Sequence, residues 1–265
     1  MKINIKKHTL LLILLAVPFL ATTQVNTEKF RKYSEKQGFL FNTKFGLGYA
    51  SGNSEYISVD GNARLDYNAA KNNYFIVANY EFKETDAAKV ANKGFVHLRG
   101  IHPFNEVLAG EAFLQQEFNE FILLEDRKLA GAGLRTRFLN FKSKKDTITQ
   151  FNAKLGTGLM YEREVYAVGE NKEEEVIKDP FRLTTYLTLD WTLSDRVNAW
   201  AVGYFQPNIK KVHDFRAIFE TGIEIWIIGK LYLNTELSYR YNNEPVGDVK
   251  HYDTVITNGV RLTIP

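Results

Sequence analysis

The 265-residue sequence contains no cysteine, which excludes a disulfide scaffold, a thiolate metal site and a cysteine nucleophile. Methionine is nearly absent, with two residues, against fourteen tyrosines and nineteen phenylalanines. Aromatic residues favour pleated surfaces and membrane interfaces over helical cores. No window reaches eighteen consecutive apolar residues, so no segment reads as a transmembrane helix. An excess of charge is also missing. The formal +3 comes from Lys2, Lys6 and Lys7, and the chain from Gln24 onward carries 31 basic and 31 acidic residues. That balance argues against a general nucleic-acid binder, which needs a surplus of positive charge.

Residues 1–23 have the layout of a cleaved export signal. Three lysines precede the apolar run LLLILLAVPFL at 10–20, and the small residues Ala21, Thr22 and Thr23 lead into Gln24. The run is shorter than the ~20 residues that a spanning helix requires, and the rival reading is an uncleaved anchor. No cysteine marks a lipoprotein start. An exported chain free of cysteine suits a Gram-negative envelope. Residues 24–37 read as a periplasmic lead segment; NTEKFRKYSEKQ at 26–37 is either a short helix or plug or a disordered lead.

From residue 38 to 265 the sequence alternates. Twelve strands are expected, over 39–50, 55–68, 73–82, about 93–104, about 108–118, 127–138, 148–161, 181–193, 197–206, 212–226, 231–241 and 253–264. The eighth is the clearest: Phe181, Leu183, Leu187, Leu189, Trp191 and Leu193 alternate with Arg182, Thr184, Thr188, Asp190 and Thr192. The facing of the fourth, fifth and ninth stays open. Sandwich strands are usually ~5–6 residues long, whereas a tilted membrane strand needs ~9–11 with its apolar side on lipid. Several short links, such as 69–72, 105–107, 194–196 and 227–230, alternate with the long charged links 83–92, 162–180 and 242–252. Aromatics gather at strand ends as in an interfacial girdle. The fold class expected is therefore all-β: a transmembrane, antiparallel, up-and-down barrel of about twelve strands with both termini periplasmic.

The stretch Gly46-Leu47-Gly48-Tyr49-Ala50-Ser51-Gly52-Asn53-Ser54, followed by a polar-alternating strand, resembles the opening of a family of uncharacterised outer-membrane proteins. It is family four-eight-one of the domains of unknown function, also described as YdiY-like or salt-induced outer membrane proteins. Arg127 to Arg137, Gly156 to Glu162 and Asp214-Phe215-Arg216 resemble it further. The resemblance implies an outer-membrane barrel and no established chemistry. The ending Leu262-Thr263-Ile264-Pro265 departs from the terminal aromatic typical of barrel insertion signals.

The polar register carries Arg64, Asp66, Arg135, Arg137, Lys154, Arg182, Asp190, Arg216, Glu220, Glu224, Glu236, Arg240 and Arg261, which are expected to line the lumen. Charges inside a barrel are paired or hydrated. Two readings stay open: a narrow aqueous pore for small polar or ionic solutes, and a salt-bridged, non-conducting scaffold, structural or stress-associated. A barrel enzyme such as a phospholipase ranks third, because His97, His102, His213 and His251 form no catalytic or metal-binding spacing. The pairs Gly46/Gly48, Gly131/Gly133 and Gly156/Gly158 open no helix, so they read as inward glycines that give space to large neighbours. Glu173, Glu174 and Glu175 read as a solvated acidic loop. No cofactor is implied. The partners expected are outer-membrane lipid, lipopolysaccharide and the barrel-assembly machinery, with the chain itself a monomer.

Overall fold

Period-two alternation is satisfied only by extended backbone, and the chain builds one sheet from it. The computed structural model describes residues 37–262 apart from 52–54, 86–88, 145–147, 170–172 and 230. The expected export signal and almost all of the expected lead segment therefore lie outside the described residues. Thirteen strands follow: β1 Gly38–Ala50, β2 Tyr56–Asn68, β3 Asn73–Thr85, β4 Lys89–Pro103, β5 Leu108–Asn119, β6 Leu124–Lys142, β7 Gln150–Val168, β8 Glu174–Lys178, β9 Phe181–Thr192, β10 Val197–Pro207, β11 Phe215–Ile228, β12 Leu231–Asn242 and β13 Tyr252–Leu262. Every pairing is antiparallel between chain neighbours, except that β7 pairs with both β8 and β9. Among the described residues, no register joins β1 to β13.

The expected and observed strands differ most at β7. Its alternation continues past Tyr161 to Val168, where residues 164–168 zip onto β8 in a hairpin. The segment 162–180, expected as a loop, thus supplies a strand extension and a thirteenth strand. At β11 the correction runs the other way: residues 212–214 belong to the preceding loop, and the strand starts at Phe215. A bulge between Arg137 and Leu139 lets β6 run on to Lys142 beyond its expected end.

The two faces of the sheet invert the usual order. Phe41, Leu114, Leu187 and Phe219 stand exposed on one side, while Arg182, Glu162 and Glu164 on the other are fully buried at 0%. A sheet in water would place the apolar side in its core. Side chains on β9 reach partners on β5, and side chains on β11 reach β7, so the sheet curls around its charged face. Apolar residues also enter that inner face: Phe75, Val77, Ile101 and Ala109 form one cluster, and Tyr186, Val202, Tyr204 and Ile218 another. The second cluster is why β10 looks apolar on both sides in sequence, and Ile101 and Ala109 break the polar register of β4 and β5.

Outward aromatics pair at both ends of the strands. Tyr161 and Phe181 sit 5.0 Å apart at one end of β7 and β9, and Phe151 and Trp191 sit 5.9 Å apart at the other. Phe39, Tyr67 and Tyr74 stack in a row at the short-link end, and Phe205, Phe215 and Tyr241 at the long-link end. Two inward glycines make room for rings laid flat on the wall. A methyl on Gly156 would overlap the Tyr186 ring, and one on Gly131 would overlap Phe113.

Candidate functional site

The inner face brings charged side chains from five strands into one layer near the long-link rim. Alternation along β7 points Glu162, Glu164 and Tyr166 inward, β5 and β6 contribute Glu117 and Arg127, and β9 and β11 contribute Arg182 and Arg216. Glu162 sits at the centre. It accepts from Arg182 Nε at 3.1 Å, from Arg216 Nη1 at 3.0 Å and from Arg127 Nη2. Arg216 also donates to Glu164 at 2.8 Å, across the width of β9 and β10, and Tyr166 donates to the same carboxylate at 3.2 Å. Arg127 is held a second time by Glu117 at 2.6 Å.

The loop before β11 completes the layer. Arg182 Nη1 donates to the Gln206 and Asp214 carbonyls at 3.3 and 3.0 Å, and its Nη2 to the Asp214 carboxylate at 2.9 Å. Asn208 donates to the other Asp214 oxygen at 3.0 Å. Burial pushes the Asp214 carboxyl up, but the Asn208 hydrogen bond and the Arg182 guanidinium outweigh it and hold the group below its ordinary value. Three arginines thus meet four carboxylates, each arginine touching at least two of them.

A second layer lies below. Glu111 on β5 receives Arg99 at 3.3 Å, Arg135 at 3.1 Å and the Tyr186 hydroxyl from β9 at 2.7 Å. Arg99 Nε donates to His97 Nε2 at 3.3 Å, so His97 carries its proton on Nδ1, which faces Gln115 Oε1 at 2.9 Å. Gln115 in turn donates to Glu117 at 2.6 Å and links the two layers. Two small cavities border the upper layer, each with about 40 Å³ of room for the centres of water molecules. Removing one member of a buried ion pair costs ~3–5 kcal/mol, while a complete network adds little net stability. The arrangement therefore fixes geometry more than it strengthens the fold, and it ties β5, β6, β7, β9 and β11 together across the inner face.

Of the residues expected on this face, Arg182 and Arg216 lie in the upper layer and Arg135 in the lower. Arg240 pairs with Glu220 at 2.7 Å, and Arg64 pairs with Asp66 while stacking on Phe75. Lys154 and Asp190 form a partly exposed pair at 3.3 Å nearer the short links. Glu224 and Glu236 are half-buried, Arg137 is exposed beside its bulge, and the Arg261 side chain lies outside the described residues. Glu117, Arg127, Glu162, Glu164, Asp214, Arg99 and Glu111 were not singled out from sequence. For Glu162 and Glu164 the usable signal was the outward register of 151–161 resuming at Val165 and Ala167 beyond Arg163. Among the described residues, no group of three His, Asp or Glu is placed to hold a metal ion.

No curated protein matches the chain. Among solved structures it is similar to one described as a NanC porin structure in rhombohedral crystal form, at 8% identity and a TM-score of 0.43, over 85% of this chain and 99% of that one. Arg127, Glu162, Asp214 and Arg216 all fall in the short stretches that carry the family resemblance in sequence. The family model described as "Protein of unknown function, DUF481" matches residues 43–263, and the chain belongs to that family.

Proposed function

We propose that this is an outer-membrane β-barrel closed at rest, a structural element of the envelope rather than an open pore. Two features support the membrane placement. The apolar register faces outward, and the aromatic pairs Tyr161–Phe181 and Phe151–Trp191 are ten positions apart on the same two strands. At ~3.3 Å per residue and a tilt of ~40°, that spacing corresponds to a band of about 25 Å, the height of a barrel's lipid-facing belt. Residues 1–23 would direct export, β1 and β13 would close the wall, and the short links would face the periplasm. The outward face would meet lipid and lipopolysaccharide after delivery by the assembly machinery. A stress-associated role, in keeping with the salt-induced description, fits a rigid wall better than an enzyme.

The observation that carries the closed reading is the reach of Arg216 on β11 to Glu164 on β7, with Glu162 shared by three arginines. Side chains from β5 to β11 span that level. The mixed charge and the small cavities on either side favour a second reading, a narrow channel for small ions. Single-channel recording in planar bilayers separates the two. Folded protein in 1 M salt (about ten times the ionic strength at which the Debye length is ~10 Å) is expected to give no stepwise conductance; regular unitary steps from the unmodified chain would overturn the closed reading.

A further inference from the structure

The link between β12 and β13, residues 243–251, is fully described and does not project away from the rim. It folds across the mouth. Val246 is 9% exposed and buries itself against Leu124 and Tyr166, with Ile122, Leu123, Val168 and Val176 around them. Gly247 beside it has φ +61°, in the left-handed region that glycine adopts without strain, and a methyl there would stand 3.3 Å from Leu123 Cδ1. Two neighbouring segments, the end of β8 and the loop before β11, grip the same link. The Glu244 carboxylate meets Lys211 Nζ at 2.5 Å and His213 Nε2 at 3.5 Å, its carbonyl accepts from Lys178 Nζ at 3.1 Å, and the Asn243 amide donates to the His213 carbonyl at 2.6 Å. Beneath the link lies the upper cavity, with Pro245, Val246 and Val249 on its roof and Arg127, Glu164 and Arg216 on its floor.

The two closures are unlike in kind. The floor is an ion-pair layer whose side chains are 0–5% exposed. The roof is held by one buried valine, by the hydrogen bonds of Asn243 and of the Glu244 carbonyl, and by contacts of the Glu244 carboxylate to Lys211 and His213 whose members are 29–70% exposed and open to screening. We propose that residues 243–251 form a lid latched by Glu244, which opens by itself and exposes the cavity while the arginine–glutamate layer beneath stays shut. The mouth is then a two-stage closure, and an external solute reaches the floor without crossing it. This inference does not depend on whether the wall contacts lipid.

The chain's lack of cysteine gives a direct test. Val246→Cys is reacted with a charged, water-soluble thiol reagent, with Val212→Cys as the exposed reference. Val246→Cys should react far more slowly than the reference. Adding Glu244→Gln should raise its rate about two- to fivefold, from the loss of the exposed Lys211–Glu244 ion pair. Raising the salt should accelerate Val246→Cys alone but not Val246→Cys with Glu244→Gln. Because the cysteine itself replaces a packed valine, hydrogen exchange on otherwise unmodified chains provides a second readout. Glu244→Gln should speed exchange across residues 243–251 and leave β7 and β11 unchanged. Val246→Cys reacting as fast as Val212→Cys would overturn the lid, as would an unchanged rate with Glu244→Gln. Equal acceleration of exchange in β7 and β11 would show that roof and floor open together, which also refutes the proposal.

Discussion

Glu162→Gln tests the charged layer with almost no change in volume, so no cavity is created. The carboxylate accepts from Arg127, Arg182 and Arg216 and is fully buried. The amide keeps one acceptor oxygen and loses the negative charge that three guanidiniums share, so at least one charge-assisted bond, worth ~1.5–3 kcal/mol, is lost outright. The amide NH2 would also confront guanidinium donors. Each arginine keeps another carboxylate, through Glu117, Asp214 or Glu164, which limits the loss. The expected destabilisation is about 3 kcal/mol, near the lower end for breaking a buried pair. With a urea slope of ~1–3 kcal/mol/M, the unfolding midpoint should fall by roughly 1–3 M. Tryptophan fluorescence of the refolded protein in lipid or detergent reports it. Glu236→Gln, on a half-buried carboxylate outside the layer, is the control and should shift stability by about 0.5 kcal/mol or less. If Glu162→Gln matches that control, the three-arginine convergence on Glu162 is wrong.

Asp214→Asn should destabilise the protein at neutral pH and less so in acid. The group's folded pKa is depressed below 3.8, so its stabilising contribution is complete above that value and is lost as pH falls through and below it. Unfolding free energies at pH 7 and pH 3 check this, and a constant difference between the two proteins would refute it. Gly156→Ala should displace the Tyr186 ring and weaken its bond to Glu111, at a cost of about 1–3 kcal/mol. Tyr186→Phe should relieve none of that strain; it should lose about 1 kcal/mol on its own, read in the same urea assay.

The register was legible wherever one face was mostly polar. β9 shows it, because Arg182, Thr184, Thr188 and Asp190 alternate with Phe181, Leu183, Leu187 and Leu189, and only Thr185 and Tyr186 break the pattern. It was obscured wherever the inner face is itself apolar. Val202 and Tyr204 pack inside, so β10 offered two greasy sides; on β4 and β5 the inner Ile101, Ala109 and Phe113 interrupt the polar register, and Arg99, Glu111 and Glu117 went unassigned. The centre of the charged layer was missed for a different reason. Glu162 and Glu164 stand in a run of charged residues beside a long link, and charge there reads as solvated loop. Pairing with β6 on one side and with the β8 hairpin on the other keeps that stretch extended. Period two specifies which side a residue faces, while partners across the interior are set by how far the sheet curls.

The placement of lipid against the apolar register is tested most directly by spin labels at two adjacent positions of β9. Leu187 stands exposed on the outer face and Thr188 is buried on the inner one. With nitroxides at Leu187→Cys and Thr188→Cys of protein refolded into bilayers, the label at 187 should collide readily with oxygen and hardly at all with a water-soluble nickel complex. The label at 188 should be shielded from both. Strong nickel broadening at 187, with oxygen access no greater than at 188, would mean that water covers the outer face, and the membrane wall would fall with it.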